Sequence, residues 1–321
     1  MQAIIQDRYG APDVLALREV DPPVVGDDEV LIRVRAASVH IGDVFGMRGA
    51  PYPVRFDTGL LRPKRGIPGY DASGVIEAVG AQVTRFRPGD EVFGQGRGTC
   101  AELTSAREAH LAPKPPSLGF EEAAALPVSA LAALHGLRDA GRLEAGQHVL
   151  VNGASGGVGT FAVQIAKALG AEVSGVCGTA NVDLVRSLGA DRVIDYTQED
   201  FTRREERYDL LLDNVENRSL AACRQVLTPG GTLVLNSGTG VRGFRFYVRL
   251  VRPLLLSPFV KHDLRRYLST PNQSDLLVLT EYAAAGKLRP VVDRTFPLAE
   301  VPAALRHIEG GHARGKVVIT V

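Results

Sequence analysis

The sequence has no tryptophan, two methionines and three cysteines in 321 residues, and each shortage closes off a class of protein. Cys100, Cys177 and Cys223 lie far apart, are odd in number and fall in no metal-ligand spacing. Neither a disulfide frame nor a cysteine-held metal cluster is therefore expected, and thiols in this pattern suit a reducing, cytoplasmic location. Charge of one sign is missing as well: 37 Lys and Arg stand against 36 Asp and Glu, a formal net charge of +1, with no run of five like charges. Neither a nucleic acid nor a membrane surface finds an electrostatic footprint here. Long apolar runs are absent too. Met1-Gln2-Ala3-Ile4-Ile5-Gln6 meets Asp7 and Arg8 without the apolar core of a signal peptide. The stretch from Leu250 to Val260 holds Arg252, Pro253 and Pro258 and is too short to span a bilayer.

What the chain does contain is an ordinary globular composition, 45% hydrophobic, in a length that suits two domains. The first third reads as short strands. Val30 to Ala36 alternates around Arg33 and Arg35, and Gly74 to Val79 and Glu91 to Phe93 are short apolar runs. Pro22-Pro23, Gly49-Ala50-Pro51 and Pro88-Gly89-Asp90 separate them as turns, the texture of a small β-rich barrel or sandwich. After Pro113-Lys114-Pro115-Pro116 the pattern changes. Glu121 to Leu143, rich in Ala and Leu, reads as helix. Strands over 148–151, 173–177, 192–194, 209–213 and 232–236 then alternate with helices over 157–169, 181–188 and 220–226 and a linking helix after 194. That alternation predicts a parallel, doubly wound α/β sheet. Beyond Gly240 the pattern blurs, with helices expected over 274–285 and 301–309 and strands near 291–294 and 316–321.

The chemistry concentrates first at Ala154-Ser155-Gly156-Gly157-Val158-Gly159, which follows a strand and opens an apolar helix. Small residues at 154, 156 and 159 fit the G/A-x-G-x-x-G dinucleotide pattern: tight turn, close approach of backbone to pyrophosphate, and close packing of helix on strand. The helix N-terminus then faces the phosphates with unpaired N–H groups and a positive dipole end. A plain βα turn is the bland alternative. The next strand refines the cofactor. An NAD site places Asp or Glu about 20 residues on, at the strand's end, to hold the ribose 2′-hydroxyl. Here the strand ends on Cys177, followed by Gly178, Thr179 and Ala180, with no acid to repel a 2′-phosphate. Thr179 and Asn181 offer hydrogen bonds, and Arg186 is a candidate cation. NADPH is therefore expected over NADH. Asn236 and Ser237 end a later strand, at the sheet edge where ligands bind in open α/β folds, and are candidate nicotinamide contacts.

The segment from Gly146-Gln147-His148-Val149-Leu150 through the glycine loop to Gln164 and Lys167 resembles the signature of the medium-chain dehydrogenase/reductases, in their quinone oxidoreductase and zeta-crystallin branch. Pro88-Gly89-Asp90-Glu91-Val92, Ala123-Ala124-Ala125-Leu126-Pro127, Gly189-Ala190-Asp191, Ile194-Asp195-Tyr196 and Gly315-Lys316-Val317-Val318-Ile319 resemble further family segments. The resemblance implies a GroES-like β-rich catalytic domain over 1–120 and 265–321, with a Rossmann cofactor domain over 121–264 inserted into it. It also implies that substrate and nicotinamide meet in a cleft between the two. Tyr196 and Lys316 match family positions near the cofactor's adenosine end and on the closing strand, and Lys316 is equally readable as a strand-edge charge.

Zinc members of that superfamily carry a Cys after the first long strand, a G-H-E motif and a later Cys or Asp. The corresponding segments here are Ser38-Val39-His40-Ile41-Gly42-Asp43 and Gly69-Tyr70-Asp71, followed only by Cys100. His40, Asp43 and Asp71 offer some ligands, but the thiolates and second His that zinc favours are missing, so no metal is expected. Hydride transfer without a metal needs a positioned nicotinamide, a dry cleft and a donor to the developing oxyanion. Candidates are His40, as hydrogen-bond or proton donor, and Tyr52. Asp43 reads as an orienting group and Arg48 as a surface or anchoring charge. The alternative for His40 is to cap its loop or bond Asp43. The family commonly has Asn where His40 stands, and a Thr beside the nicotinamide where Ala132 stands. The segment from Gly243 to Val260 reads as a wall of the substrate cleft, a homodimer contact, or a helix packed on its own domain. The expected function is reduction of a small quinone or α,β-unsaturated carbonyl compound by NADPH. Reduction of simple ketones or aldehydes, and catalytically idle NADPH binding, are the alternatives.

Overall fold

The computed structural model describes residues 1–64, 66–236, 253, 260–311 and 313–321, with only the backbone of Asp57. Ser237, and the segment from Gly243 to Val260 apart from Pro253 and Val260, lie outside the described residues. Strands β1 (Gln2–Gln6), β2 (Leu15–Glu19) and β3 (Glu29–Val39) precede helices α1 (Ile41–Arg48) and α2 (Val54–Thr58). Strands β4 (Asp71–Val79), β5 (Glu91–Gln95), β6 (Leu103–Arg107) and β7 (Leu111–Pro113) lead to α3 (Phe120–Ala124) and α4 (Pro127–Leu134). Then come β8 (His148–Asn152), α5 (Gly157–Ala168), β9 (Glu172–Cys177), α6 (Val182–Ser187), β10 (Arg192–Asp195), β11 (Tyr208–Asp213), α7 (Leu220–Gln225) and β12 (Leu227–Leu235). β13 (Asp263–Arg266), α8 (Gln273–Ala284), β14 (Val292–Pro297), α9 (Val301–Glu309) and β15 (Lys316–Thr320) follow. The chain forms two compact units, Met1–Leu131 with Thr270–Val321, and Ala132–Ser269.

The first unit is the GroES-like domain. Its main sheet runs β14-β15-β3-β4-β5-β7, with β6 also on β3 and with β1 and β2 as a separate antiparallel pair. β3 alternates as its sequence requires: Val30, Ile32 and Val34 are buried while Arg33 and Arg35 point outward. The C-terminal tail does return to this unit. β15 lies antiparallel on β3, Val317 opposite Val39 and Ile319 opposite Ala37. A core of Ile4, Val39, Met47, Leu305, Val317 and Ile319 joins the two ends of the chain. Helix α3 packs on β3, β4 and β15, which places it with this unit.

The second unit is a six-stranded parallel sheet of order β10-β9-β8-β11-β12-β13. The order reverses between β8 and β11, the switch point at which doubly wound sheets bind ligands. Strands covered on both faces need apolar residues on both, and Val149, Leu150 and Val151 of β8 are all fully buried. Helix α5 is buried along most of its length from Gly159 to Ala166, as its apolar sequence demands.

Three local readings change. The stretch 121–143 is not one helix: Pro127, which has no N–H to donate, starts α4 afresh, and the chain continues as a π-helical turn over His135–Ala140. The linking helix after β10 is a single 3-10 turn, Phe201–Arg203, capped by Asp200. β13 was not legible, because its short run of charged residues, Asp263-Leu264-Arg265-Arg266, pairs only along one edge of the sheet. No helix among the described residues is long and apolar enough to cross a membrane.

Ile319 is fully buried where β15 meets the first-unit core, so Ile319→Ala should lower the unfolding free energy by about 2–5 kcal/mol in urea denaturation. A loss below about 1 kcal/mol would show that the closing strand is not part of that core.

Candidate functional site

The glycine loop sits at the switch point of the second unit. Gly153 takes φ +79°, a conformation that L side chains avoid. A Cβ on Gly159 would lie 2.0 Å from the Gly153 carbonyl oxygen, so only glycine lets α5 close on the loop. Ala154 is buried, with its N–H on the Val176 carbonyl at 2.9 Å. Gly156 is the N-cap of α5 and brings no side-chain acceptor. The first-turn N–H groups of this 12-residue helix therefore have no intrahelical partner and none supplied by a capping side chain. Ser155, Gly157 and Val158 complete a cradle of backbone donors that fits a pyrophosphate.

The adenosine end differs from the expectation in one respect. No acid follows Cys177 on β9, but Asp195 ends the neighbouring strand β10 directly opposite Cys177 in the parallel register. Thr179 donates its hydroxyl proton to Asp195 Oδ2 at 2.6 Å. Thr197, through N–H (3.0 Å) and hydroxyl (2.8 Å), and Gln198 (3.3 Å) also donate to that carboxylate. These bonds, the Thr179 one foremost, hold the Asp195 pKa below its usual value. A carboxylate does stand at this rim. It is not on β9 itself but arrives from the adjacent strand, 18 residues after Cys177. Asn181 Oδ1 is buried without a hydrogen-bond partner. Arg186 donates to Asp183 on its own helix at 2.9 Å. The Tyr196 ring, half exposed, lies over Gly178, and its N–H donates to the Cys177 carbonyl at 3.0 Å.

At the C-terminal ends of β8, β11 and β12 a polar floor forms that sequence reading had caught only at Asn236. Asp213 Oδ1 accepts from Asn152 Nδ2 (2.7 Å) and from the N–H groups of Val215 (3.1 Å) and Glu216 (2.8 Å). Asn236 Nδ2 donates to Asn214 Oδ1 at 2.8 Å, which leaves its own oxygen to accept. Ala132, the position of the expected nicotinamide contact, has its carbonyl taken by the Tyr267 hydroxyl at 2.6 Å.

In the first unit, His40, Asp43, Asp71 and Lys316 share one buried cluster. His40 is the N-cap of α1. Its Nδ1 accepts the Gly42 N–H at 2.9 Å, while its own N–H donates to Asp43 Oδ2 at 2.8 Å. A ring nitrogen that accepts cannot carry a proton, so His40 is the neutral tautomer with its proton on Nε2. Burial, then the Lys316 charge, pushes its pKa down to about 4. Burial pushes the Asp43 carboxyl up to about 6. His40 Nε2 and Asp43 Oδ1 are both buried without a hydrogen-bond partner, a donor and an acceptor on one helical turn. Asp43 also lines a pocket with Gln6, Met47, Thr58, Ile67 and Tyr70. Tyr52, by contrast, is 71% exposed, with its ring 5.0 Å from the Arg55 guanidinium. Arg48 bonds Glu309 of α9 at 2.7 and 2.9 Å. Lys316 is enclosed, its ammonium bonded to Asp71 (3.3 Å) and Ser129 (3.1 Å).

These residues do not fit a zinc centre. Asp71 already takes the Lys316 ammonium, the Ser38 hydroxyl at 2.9 Å and the Val128 N–H at 3.0 Å. His40 Nδ1 is taken by Gly42, and burial holds the Cys100 thiol well above its usual pKa. Among the described residues no three His, Cys, Asp or Glu side chains gather as a metal requires.

The comparisons with known proteins agree with this architecture. A family model described as the alcohol dehydrogenase GroES-like domain matches residues 26–185, and one described as zinc-binding dehydrogenase matches 188–319. A 2-methylene-furan-3-one reductase of Solanum lycopersicum is 34% identical over 99% of this chain and 79% of its own length. An NADPH-dependent alkenal/one oxidoreductase, chloroplastic, of Arabidopsis thaliana is 33% identical over the same shares. The solved quinone oxidoreductase from Coxiella burnetii superposes with a TM-score of 0.86 at 28% identity, covering 100% of this chain and 99% of that one.

The His40 and Asp43 shifts oppose each other in stability. The Asp43 pKa is raised, so its contribution is full below about pH 3.8 and is lost as pH rises through about 6. The His40 pKa is lowered, so its contribution is present above about 6.5 and is lost as pH falls through about 4. Asp43→Asn leaves the His40 slope uncovered. Relative to the native chain, its unfolding free energy should fall on acidification from pH 6 to pH 4, by up to about 1.4 kcal/mol per pH unit. A difference that does not vary with pH in urea denaturation would refute the opposed pair.

Proposed function

The chain belongs to the medium-chain dehydrogenase/reductase superfamily and is an NAD(P)H-dependent oxidoreductase, and from that premise we infer that it reduces a quinone or an α,β-unsaturated carbonyl compound with NADPH, without zinc. The observation that carries the reading is the glycine loop, which leaves the first-turn N–H groups of α5 open at the switch point of a parallel sheet. The names of relatives at 33–34% identity, a furanone reductase and an NADPH-dependent alkenal/one oxidoreductase, support the substrate class.

The nicotinamide, when bound, supplies the hydride. The chain's own contribution is to bind, orient and stabilise charge. Ser155 to Gly159 present the phosphate-binding backbone, and Asn236 offers an acceptor at the sheet edge. His40 offers Nε2–H as a hydrogen-bond donor to the substrate oxygen as negative charge develops there. As the neutral tautomer with a low pKa it is a hydrogen-bond donor and not a general acid, so the proton that completes reduction comes from solvent or from Asp43. Lys316 supplies a fixed positive charge close to this cluster. A reducing compartment is part of the proposal, since Cys100, Cys177 and Cys223 are all buried and none is in a disulfide.

A panel of quinones, enones and simple ketones assayed for NADPH consumption, with and without a chelator, tests the reading. Turnover of quinones or enones, unaffected by chelation, is expected. Activity lost on chelation and restored by zinc would overturn it. An asparagine also offers one acceptor to cap α1 and one N–H to donate. His40→Asn should therefore keep most of kcat/KM, whereas His40→Ala loses about tenfold or more. Tyr52→Phe should change it by less than about twofold, as for an exposed residue outside the cluster.

A further inference from the structure

The adenosine rim of the second unit carries several acceptors. Asp195 brings a carboxylate to the end of β10, in register with Cys177 at the end of β9. Asn181 holds a buried carbonyl oxygen with no partner. Thr179 has committed its hydroxyl proton to Asp195 and so presents lone pairs, not a donor. The cation nearest to hand in the sequence, Arg186, is turned to Asp183, and Lys167 is bonded to Asp191 at 2.8 and 3.0 Å. A ribose 2′-hydroxyl carries a proton that such acceptors can take. A 2′-phosphate carries only acceptor oxygens and negative charge, so a carboxylate at Asp195 narrows the preference for NADPH rather than abolishing its binding.

Resting on the dinucleotide reading above, we propose that Asp195 stands in, from the neighbouring strand, for the acid that β9 lacks, and accepts the ribose 2′-hydroxyl of NADH. The chain thereby takes NADH as a hydride donor alongside NADPH. The Gln198 amide, which donates at 3.3 Å in the longest of the contacts to the carboxylate, is the donor a ribose hydroxyl replaces. The three shorter bonds from Thr179 and Thr197 aim the carboxylate and keep it ionised at neutral pH. The usual strand-end acid and this one share a function, because parallel neighbours in register deliver their last residues to the same edge of the sheet.

Binding of each nucleotide to the full chain, without any acceptor, separates this proposal from the assignment of the reaction. Dissociation constants for NADH and NADPH are measured by fluorescence titration, with thermal melting to check folding. The native chain is expected to bind NADH within about tenfold of NADPH. Asp195→Asn should weaken NADH by about tenfold, the value of a hydrogen bond to a charged group, and tighten NADPH by severalfold. Thr197→Val removes one brace but leaves the carboxylate, and should keep the native ratio. Asp195→Asn that leaves the ratio unchanged, or Thr197→Val that shifts it as far, makes Asp195 a loop brace and overturns the proposal alone. A native chain that binds neither nucleotide overturns the dinucleotide reading with it.

Discussion

A buried ion pair is the constraint on which the first unit depends. Lys316 and Asp71 have side chains within 1% of complete burial, and charges so enclosed persist only when they are paired and hydrogen-bonded. Asp71 is met by Lys316, Ser38 and the Val128 backbone, and Lys316 in turn by Ser129. Four stretches of chain, β3, β4, the start of α4 and β15, are thereby fixed against one another. Removing either charge would leave the other uncompensated, so the pair dictates where the last strand must dock. Burial, and then the Lys316 charge against the opposing charge of Asp71, holds the His40 ring neutral, which is what makes His40 a hydrogen-bond donor and a helix cap at once.

The second unit depends on a steric constraint. Gly159 faces the Gly153 carbonyl at a distance no side chain tolerates, and that contact draws the N-terminus of α5 against the end of β8. With the helix so placed, its first N–H groups converge on the one point of the sheet where strand order reverses. The polar floor of Asn152, Asp213, Asn214 and Asn236 then follows from strands ending side by side. The parallel sheet is thus the common cause of both the phosphate cradle and the rim at Asp195.

Much of this is legible in the sequence. The alternation from His148 to Leu235 and the loop at 154–159 are local patterns, set by periodicity and by glycine placement, and the structure follows them closely. The return of β15 to β3 was implied by family resemblance alone, since no local pattern says where a closing strand pairs. Lys316 read as a candidate at the cofactor's rim or a strand-edge charge, because burial is not written in a lone lysine. The stretch 121–143 read as one helix because alanine and leucine suit a helix throughout, yet Pro127 divides it. The Asp195 carboxylate was not legible as a partner of the rim, because it belongs to β10 and no pattern on β9 announces a group from the neighbouring strand.

By itself the sequence determined the two kinds of architecture, the dinucleotide loop and the lack of a metal-ligand pattern. These depend on residue types a few positions apart, and chain connectivity holds such neighbours together whatever the fold. The tertiary structure alone decided which distant side chains meet: Lys316 with Asp71 across 245 residues, and Asp195 with Thr179 across 16. Those meetings are set by strand order, register and burial, which belong to the packed molecule and to no segment of it. Protonation states and acceptor patterns, and with them the chemistry of the site, follow from that packing.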